Sequence, residues 1–208
     1  LTLQSSFGNL AIRGFLDNPT DKENARYDLT VNTTSLALDR IMEDTTFGNV
    51  NGEISVKGRG FNPETLQADV AAVLREAGFN GYAYNDIKLS GSMNHGEVKA
   101  NIESHDPNID LDSDLSFKYT TKLQDIKVKS EIRELDLHAL GFMDSSFSVK
   151  GNIDIDFPIF DSANLEGKGL LEDIYLSFGN KTYYLDSFDV NAYSQLDTQY
   201  IRINSTLI

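Results

Sequence analysis

The sequence has no cysteine among its 208 residues, which excludes thiol catalysis, disulfide staples and thiolate metal sites. A reducing cytosol and a disulfide-free envelope compartment are both compatible with that absence. Positive charge is scarce: 18 Lys and Arg stand against 32 Asp and Glu, a net charge of -14. Such a field repels phosphate, so nucleic acid is dropped as a partner. No run approaches the roughly 18 consecutive apolar residues that a membrane-crossing helix needs. The chain opens at Leu1 without a Met or a signal-peptide pattern, and alternation is still running from Ile201 to Ile208; a piece of a longer protein is expected. What is present, 40% hydrophobic and 24% charged residues, is ordinary for a folded chain and argues against disorder.

The dominant pattern is period-two alternation of apolar and polar residues, the mark of a sheet with one dry face and one wet face. It runs through Phe7 to Phe15, Tyr27 to Val31, Ile54 to Val56, Val98 to Ile102, Leu115 to Tyr119, Ile126 to Ile132, Phe147 to Phe157, Ile174 to Phe178 and Ile201 to Ile203. Between these stretches stand turn pairs that favour positive φ: Asn51-Gly52, Asn80-Gly81, His95-Gly96 and Gly179-Asn180. Spacing of about ten residues per strand with short connections predicts an antiparallel meander.

One segment reads differently by local chemistry. Asn62 to Gly78 offers an Asn cap, Pro63 at the first helical position, an Ala-rich middle and a Gly stop. An internal repeat arbitrates. Leu36-Ala37-Leu38-Asp39 recurs as Leu135-Asp136-Leu137-His138, 99 residues on, and the same offset pairs Gly52 with Gly151, Ile54 with Ile153 and Leu66 with Leu165. The run Tyr82 to Leu89 recurs as Tyr183 to Val190, and both copies slip in apolar phase, at Asn85-Asp86 and Asp186-Ser187. A bulge or tight turn there would flip the buried face. Asn62 to Gly78 aligns with a stretch that contains Gly167 and Gly169, poor helix residues, so strand is expected. Arg40 to Asp44 and Ala139 to Asp144 are each read as one helical turn. The organisation inferred is a partial leading repeat over 1–34, a first unit over 35–133 and a truncated second unit over 134–208.

The string Phe79 to Gly91, the hairpin around Gly96, and then Ser104-His105-Asp106-Pro107-Asn108-Ile109-Asp110-Leu111 together resemble the repeat region of the TamB family. These are translocation and assembly module subunits of the AsmA-like superfamily, here in the Bacteroidetes form. The resemblance covers Phe47 to Gly141 directly and the remainder through the repeat. It implies a mainly β fold: an elongated antiparallel repeat array forming a β-taco, a half-pipe with an apolar interior groove. It also implies a periplasmic location, an inner-membrane anchor outside this sequence, an Omp85-family outer-membrane partner, and conduction of phospholipid or another acyl lipid in support of outer-membrane biogenesis. The family has no catalytic motif, so neither an enzyme activity nor a cofactor is implied.

Read residue by residue, Asp110-Leu111-Asp112-Ser113-Asp114 has the first ligand spacings of a calcium loop, but the glycine position falls on Leu115 and the glutamate position on Thr121. A strand instead puts Asp110, Asp112 and Asp114 together on the wet face. His95, His105 and His138 lie far apart and do not read as a zinc set, and no Ser, His and Asp arrangement shows the context of a nucleophile. The plentiful carboxylates read as a solvated outer face.

The apolar alternation carries the functional expectation. Ile54, Val56, Ile87, Leu89, Val98, Ile102, Leu115, Phe117, Val149, Ile153, Ile155, Phe188 and Val190 are the candidate lipid-groove residues; the plain alternative is that they form the core of a two-sheet sandwich. Other expectations are a scaffold that assists outer-membrane β-barrel proteins by strand addition, and an extracellular adhesive or carbohydrate-binding module using Tyr183, Tyr184, Tyr193 and Tyr200.

Overall fold

The computed structural model describes residues 2–119, 122–161, 164–196 and 198–207. Thr121 of the calcium-loop reading and Ile208 of the last alternating stretch lie outside the described residues. Thirteen strands follow in order: β1 (Thr2–Ser5), β2 (Gly8–Asp17), β3 (Arg26–Ala37), β4 (Phe47–Arg59), β5 (Gln67–Phe79), β6 (Tyr82–Asn94), β7 (Glu97–Asp106), β8 (Ile109–Tyr119), β9 (Leu123–Asp136), β10 (Phe147–Asp161), β11 (Asn164–Phe178), β12 (Lys181–Gln195) and β13 (Thr198–Leu207). A short helix, α1 (Leu38–Met42), joins β3 to β4. Spatial order equals sequence order and every neighbouring pair is antiparallel, so the chain is a meander in one open sheet. At about 4.8 Å per strand the sheet extends roughly 58 Å along its hydrogen-bond direction.

Turn chemistry sets the hairpins. Asn80-Gly81 (φ 51° and 78°) and His95-Gly96 (φ 49° and 81°) both place two residues at positive φ, the requirement of the tight turn whose twist matches the flanking strands. At Gly81 an added Cβ would meet nothing, so the glycine serves its φ alone. The helical-looking segment is β5. Asn62 does cap a turn, its Oδ1 accepting from the Glu64 N–H and its carbonyl from Thr65 and Leu66, but only one turn forms before pairing on both sides draws Gln67 onward into the sheet. After β9, residues 137–141 form hydrogen-bonded turns and not a helix, while the helix after β3 begins two residues earlier than read, at Leu38.

One turn expectation fails. Asn51-Gly52 lies inside β4, where pairing with β5 shifts register between Asn51 and Gly52. The Asn51 amide there accepts the Ser35 N–H through Oδ1 and donates to the Glu76 carboxylate through Nδ2, so it bridges irregularities on both sides. A local turn signal has been absorbed by a bulge.

Such irregularities form a seam across the sheet: Thr33/Leu36 in β3, Asn51/Gly52 in β4, Asp86 in β6, Asp110/Leu111 against Arg133 in β9, Val149/Gly151 in β10 and Leu185/Ser187 in β12. Asp86 and Asp173 hold positive φ (51° and 52°), as does Ser35 (49°). The phase slips at Asp86 and Asp186 therefore do coincide with irregular pairing, but the face is not flipped. Tyr84 pairs with Ala77 and Ala77 with Val50, which shares the parity of Ile54 and Val56 in the same strand. The extra residue absorbs the slip, and apolar side chains on both sides of the seam share one face. The inferred unit boundaries at 34/35 and 133/134 fall inside β3 and β9, at this seam.

Substantial contacts run only between sequence-adjacent elements, so among the described residues no second layer covers the sheet and the sandwich alternative does not apply. Accessible surface agrees: 13133 Å², against about 9,700 Å² for a compact protein of this mass.

Candidate functional site: one apolar sheet face

Cross-strand register makes the dry face continuous. One row runs Gly14, Leu29, Val56, Val70, Gly91, Ala100, Leu115, Val128, Ile155, Gly169, Val190, Ile203, each paired with the next, without a polar side chain across twelve strands. The row beside it contains Ile12, Val31, Ile54, Ala72, Leu89, Ile102, Ser113, Ser130, Ile153, Leu171, Phe188 and Ser205. On the far side of the first row lie Tyr27, Gly58, Ala68, Met93, Val98 and Phe117. Toward the seam lie Gly52, Leu74, Ile87, Ser104, Leu111 and Ile132. Val149 lies beyond the seam, paired with Leu135 and Leu176. All thirteen candidate groove residues thus share this face, and all thirteen are half-buried: flanked by neighbours, covered by no second sheet.

The opposite face is charged. One of its rows runs Asp28, Lys57, Asp69, Ser92, Lys99, Ser116, Lys127, Asp156, Lys168, Asn191, Arg202. Lys127 reaches Asp156 at 3.0 Å and Lys88 reaches Glu103 at 3.2 Å, exposed pairs that contribute little to stability but keep opposite signs facing each other. A recess of about 730 Å³ lies between two such rows, walled by Asp69, Ser90, Lys99, Asp114, Lys129, Asp154 and their neighbours. Of the thirteen candidates only Leu115 and Ile155 line it, together with Val70, Gly91, Ala100 and Val128 of the first apolar row.

Asp110, Asp112 and Asp114 share the charged face, as read from their spacing. Arg133, the extra residue of the β9 bulge, lies against them: Nε donates to Asp110 Oδ1 and Nη1 to Asp112 Oδ2, both at 2.8 Å. That guanidinium hydrogen bond, assisted by His105 and outweighing burial, which acts upward, holds the Asp110 carboxyl below its ordinary range. The guanidinium of Arg133 thus faces two of these carboxylates. The histidines stay separate: His105 faces Asp110 at 3.3 Å, His95 sits in its turn beside Asn94, and His138 contacts the Met143 carbonyl at 3.0 Å.

The tyrosines do not form one platform. Tyr193 and Tyr200 stack at 5.3 Å on the charged face, and Tyr184 lies there against Tyr175, whereas Tyr183 pairs with Leu176 on the apolar face. Donation to Asp173 pushes the Tyr184 phenol up to about 12.

Besides Thr33 and Ser205, four polar residues that the sequence reading did not single out stand on the apolar face near the middle of the sheet. Asp106, 1% exposed, continues the parity of Val98, Ala100 and Ile102. Pairing of β6 with β7 stops at Ile87–Ser104, which leaves the main chain of Asn85 without a β7 partner. The Asp106 carboxylate takes that place. It accepts from the Asn85 N–H (2.9 Å) and side-chain amide (3.1 Å), from the Asn108 N–H (2.9 Å) and from the Tyr82 hydroxyl. Burial alone would raise its pKa, but these donors outweigh burial and hold the carboxyl below the ordinary carboxylate range. Ser104, also 1% exposed, has an Oγ without a hydrogen-bond partner among the described residues, and Ser113 bonds Ser130 Oγ to Oγ at 2.6 Å. The signal that marks all four is a polar residue standing at an apolar parity position.

This margin of the face is covered. Leu140 is fully buried, and Asn80 Nδ2 donates to the Gly141 carbonyl at 2.7 Å, so the β9–β10 connection reaches the β5–β6 hairpin. No family model matches the sequence, and neither the curated proteins nor the solved structures provide a match.

Proposed function

We propose that the apolar face carries acyl chains, and that the chain is a periplasmic stretch of a TamB-like bridge along which lipid passes between the inner and outer membranes. The observation that carries this reading is the unbroken apolar row across twelve strands of a sheet that, among the described residues, has no second layer. Moving a sixteen-carbon tail into water costs on the order of 12 kcal/mol at roughly 0.8 kcal/mol per methylene. A continuous apolar track largely removes that penalty, because the tail passes from one apolar residue to the next while its headgroup stays wet. No residue has to perform chemistry.

The order of motifs between Phe47 and Gly141 supports the family part of the proposal. So do the strand bounds: advancing β5 (Gln67–Phe79) by 99 residues gives 166–178, within β11, and advancing β7 (Glu97–Asp106) by 101 gives 198–207, the span of β13. A six-strand repeat supports an array in which neighbouring units extend the same track. The curled half-pipe, the inner-membrane anchor and the Omp85-family partner belong to this proposal.

The test is lipid transfer by the intact parent protein carrying Ile87→Glu, Phe117→Glu and Phe188→Glu, with Lys88→Glu as a charged-face control. Transfer is expected to fall with the three apolar-face substitutions and to persist with the control; unchanged transfer in the triple variant would refute the reading.

A further inference from the structure

The structure assigns to α1 a docking role: Ile41 and Met42 receive the turn of a β-hairpin from another unit of this repeat, of the kind that β11 and β12 form. The role is independent of what the apolar face carries. Its template lies within the chain, where the β9–β10 connection meets the β5–β6 hairpin. There Leu140 is fully buried, Asn80 Nδ2 donates to the Gly141 carbonyl at 2.7 Å, and a Cβ added at Gly141 would meet the Asn80 carbonyl oxygen at 2.8 Å.

Main-chain bonds identify the counterparts of both halves of that contact. The Asp136 N–H donates to the Asn108 carbonyl at 2.9 Å, as the Ala37 N–H does to the Phe7 carbonyl at 2.8 Å. The connections after β9 and after β3 thus leave the sheet alike, each tied to the turn of the hairpin before it. The Asn80 N–H donates to the Thr46 carbonyl at 2.7 Å, as the Gly179 N–H does to the Ser146 carbonyl at 3.1 Å. Phe47 packs on Phe79 as Phe147 packs on Phe178. At the 99-residue offset Ile41 stands for Leu140, Met42 for Gly141 and Gly179 for Asn80. Exposure separates the two copies: Leu140 is 0% exposed, whereas Ile41 is 52%, Met42 56% and Phe178 52%. Among the described residues the contact is made once, and each of its halves recurs uncovered.

The side chains at the two uncovered halves fit each other. Within the chain, glycine of the connection lies under asparagine of the hairpin. Between units methionine would meet glycine, and a Cβ added at Gly179 has nothing within 4 Å, so there is room for the larger residue on the other side. Strand bounds supply the register. Advancing β13 back by 101 residues gives 97–106, the span of β7, and advancing β1 (Thr2–Ser5) by 101 gives 103–106, the end of the same strand. Thr198 to Ile203 followed by Thr2 to Ser5 therefore rebuilds one strand of the β7 type. A unit joined in that way carries its α1 four strands beyond β11, just as the β9–β10 connection follows four strands beyond β5. Such a contact joins unlike surfaces, so it can recur from unit to unit along an array.

The experiment joins residues 1–203 to residues 2–208 in one tandem chain and introduces a single cysteine, with no native thiol to compete. Maleimide labelling is timed for Ile41→Cys in the original chain, in the first half of the tandem and in its second half. Leu140→Cys in either half is the buried reference. Ile41→Cys is expected to label at one rate in the original chain and in the first half, and about ten-fold or more slowly in the second half, where the β11–β12 hairpin reaches it. Fast labelling in the second half, with Leu140→Cys slow in both halves, would overturn the docking role and leave the apolar track standing. Fast labelling of Leu140→Cys in the second half would overturn it too, because the joint follows the repeat register on which the role rests.

Discussion

Removal of the Asp106 carboxylate tests how the seam is held. Asp106→Ala strands three donors, the Tyr82 hydroxyl and the main-chain N–H groups of Asn85 and Asn108, where β6 and β7 no longer pair; the fourth, the Asn85 side-chain amide, keeps its bond to the Ala83 carbonyl. At about 1 kcal/mol for each donor left short, near the lower end because Asn85 reaches water, the loss is about 3 kcal/mol. Asp106→Asn keeps one acceptor oxygen but turns an amide toward the remaining donors, so about half that loss is expected. The pH dependence follows from sign. Because the folded carboxyl titrates below its unfolded value, its stabilisation is complete above about pH 4 and is lost as pH falls through the folded pKa. Urea unfolding followed by circular dichroism at pH 7 and pH 3 measures both quantities. The wild-type advantage over Asp106→Asn should be present at pH 7 and shrink at pH 3. A loss below 1 kcal/mol for Asp106→Ala, or a wild-type advantage that does not change with pH, would refute this account of the seam.

Three further outcomes follow from individual residues. Asp86 sits at φ 51° in β6, so Asp86→Val should destabilise by about 1 to 2 kcal/mol while Asp86→Gly is neutral or better, read from urea midpoints. Arg133→Gln removes the guanidinium that holds Asp110 down, so the Asp110 pKa measured by carboxyl NMR should rise; unfolding free energy should change by less than about 1 kcal/mol because the group is partly solvated. Leu140→Ala empties a fully buried site and should cost about 3 kcal/mol, with faster amide exchange at Tyr84 and Ile132; unaltered exchange there would show that the β9–β10 connection does not seal the margin.

Much of the architecture was legible because alternation and turn chemistry are local. Val98 to Ile102 and Phe147 to Phe157 state their own strand and face, and Asn80-Gly81 and His95-Gly96 state their hairpins. Asn51-Gly52 misleads because neither residue takes positive φ: Gly52 serves a close approach, an added Cβ meeting the Val73 carbonyl oxygen at 2.5 Å, and the Asn51 amide bridges the irregularities on either side. Whether one sheet or two would form was not legible, since an inward apolar face looks the same in a sandwich and in an open meander. Asp106 and Arg133 escaped notice for a related reason. Their roles depend on where the β6–β7 and β8–β9 ladders lose register, and that is fixed by pairing between strands and not by either strand alone.

The central claim is that acyl chains lie along the apolar rows. Its most direct measurement places a photoreactive phenylalanine analogue at Leu89, Val128 and Ile153 on that face, and at Lys88, Lys129 and Asp154 on the charged face. The protein is then irradiated with phospholipid vesicles and lipid adducts are identified by mass spectrometry. Adducts at the first three positions and none at the second three are the predicted result. Equal labelling of both faces, or adducts confined to the charged face and its recess, would contradict it.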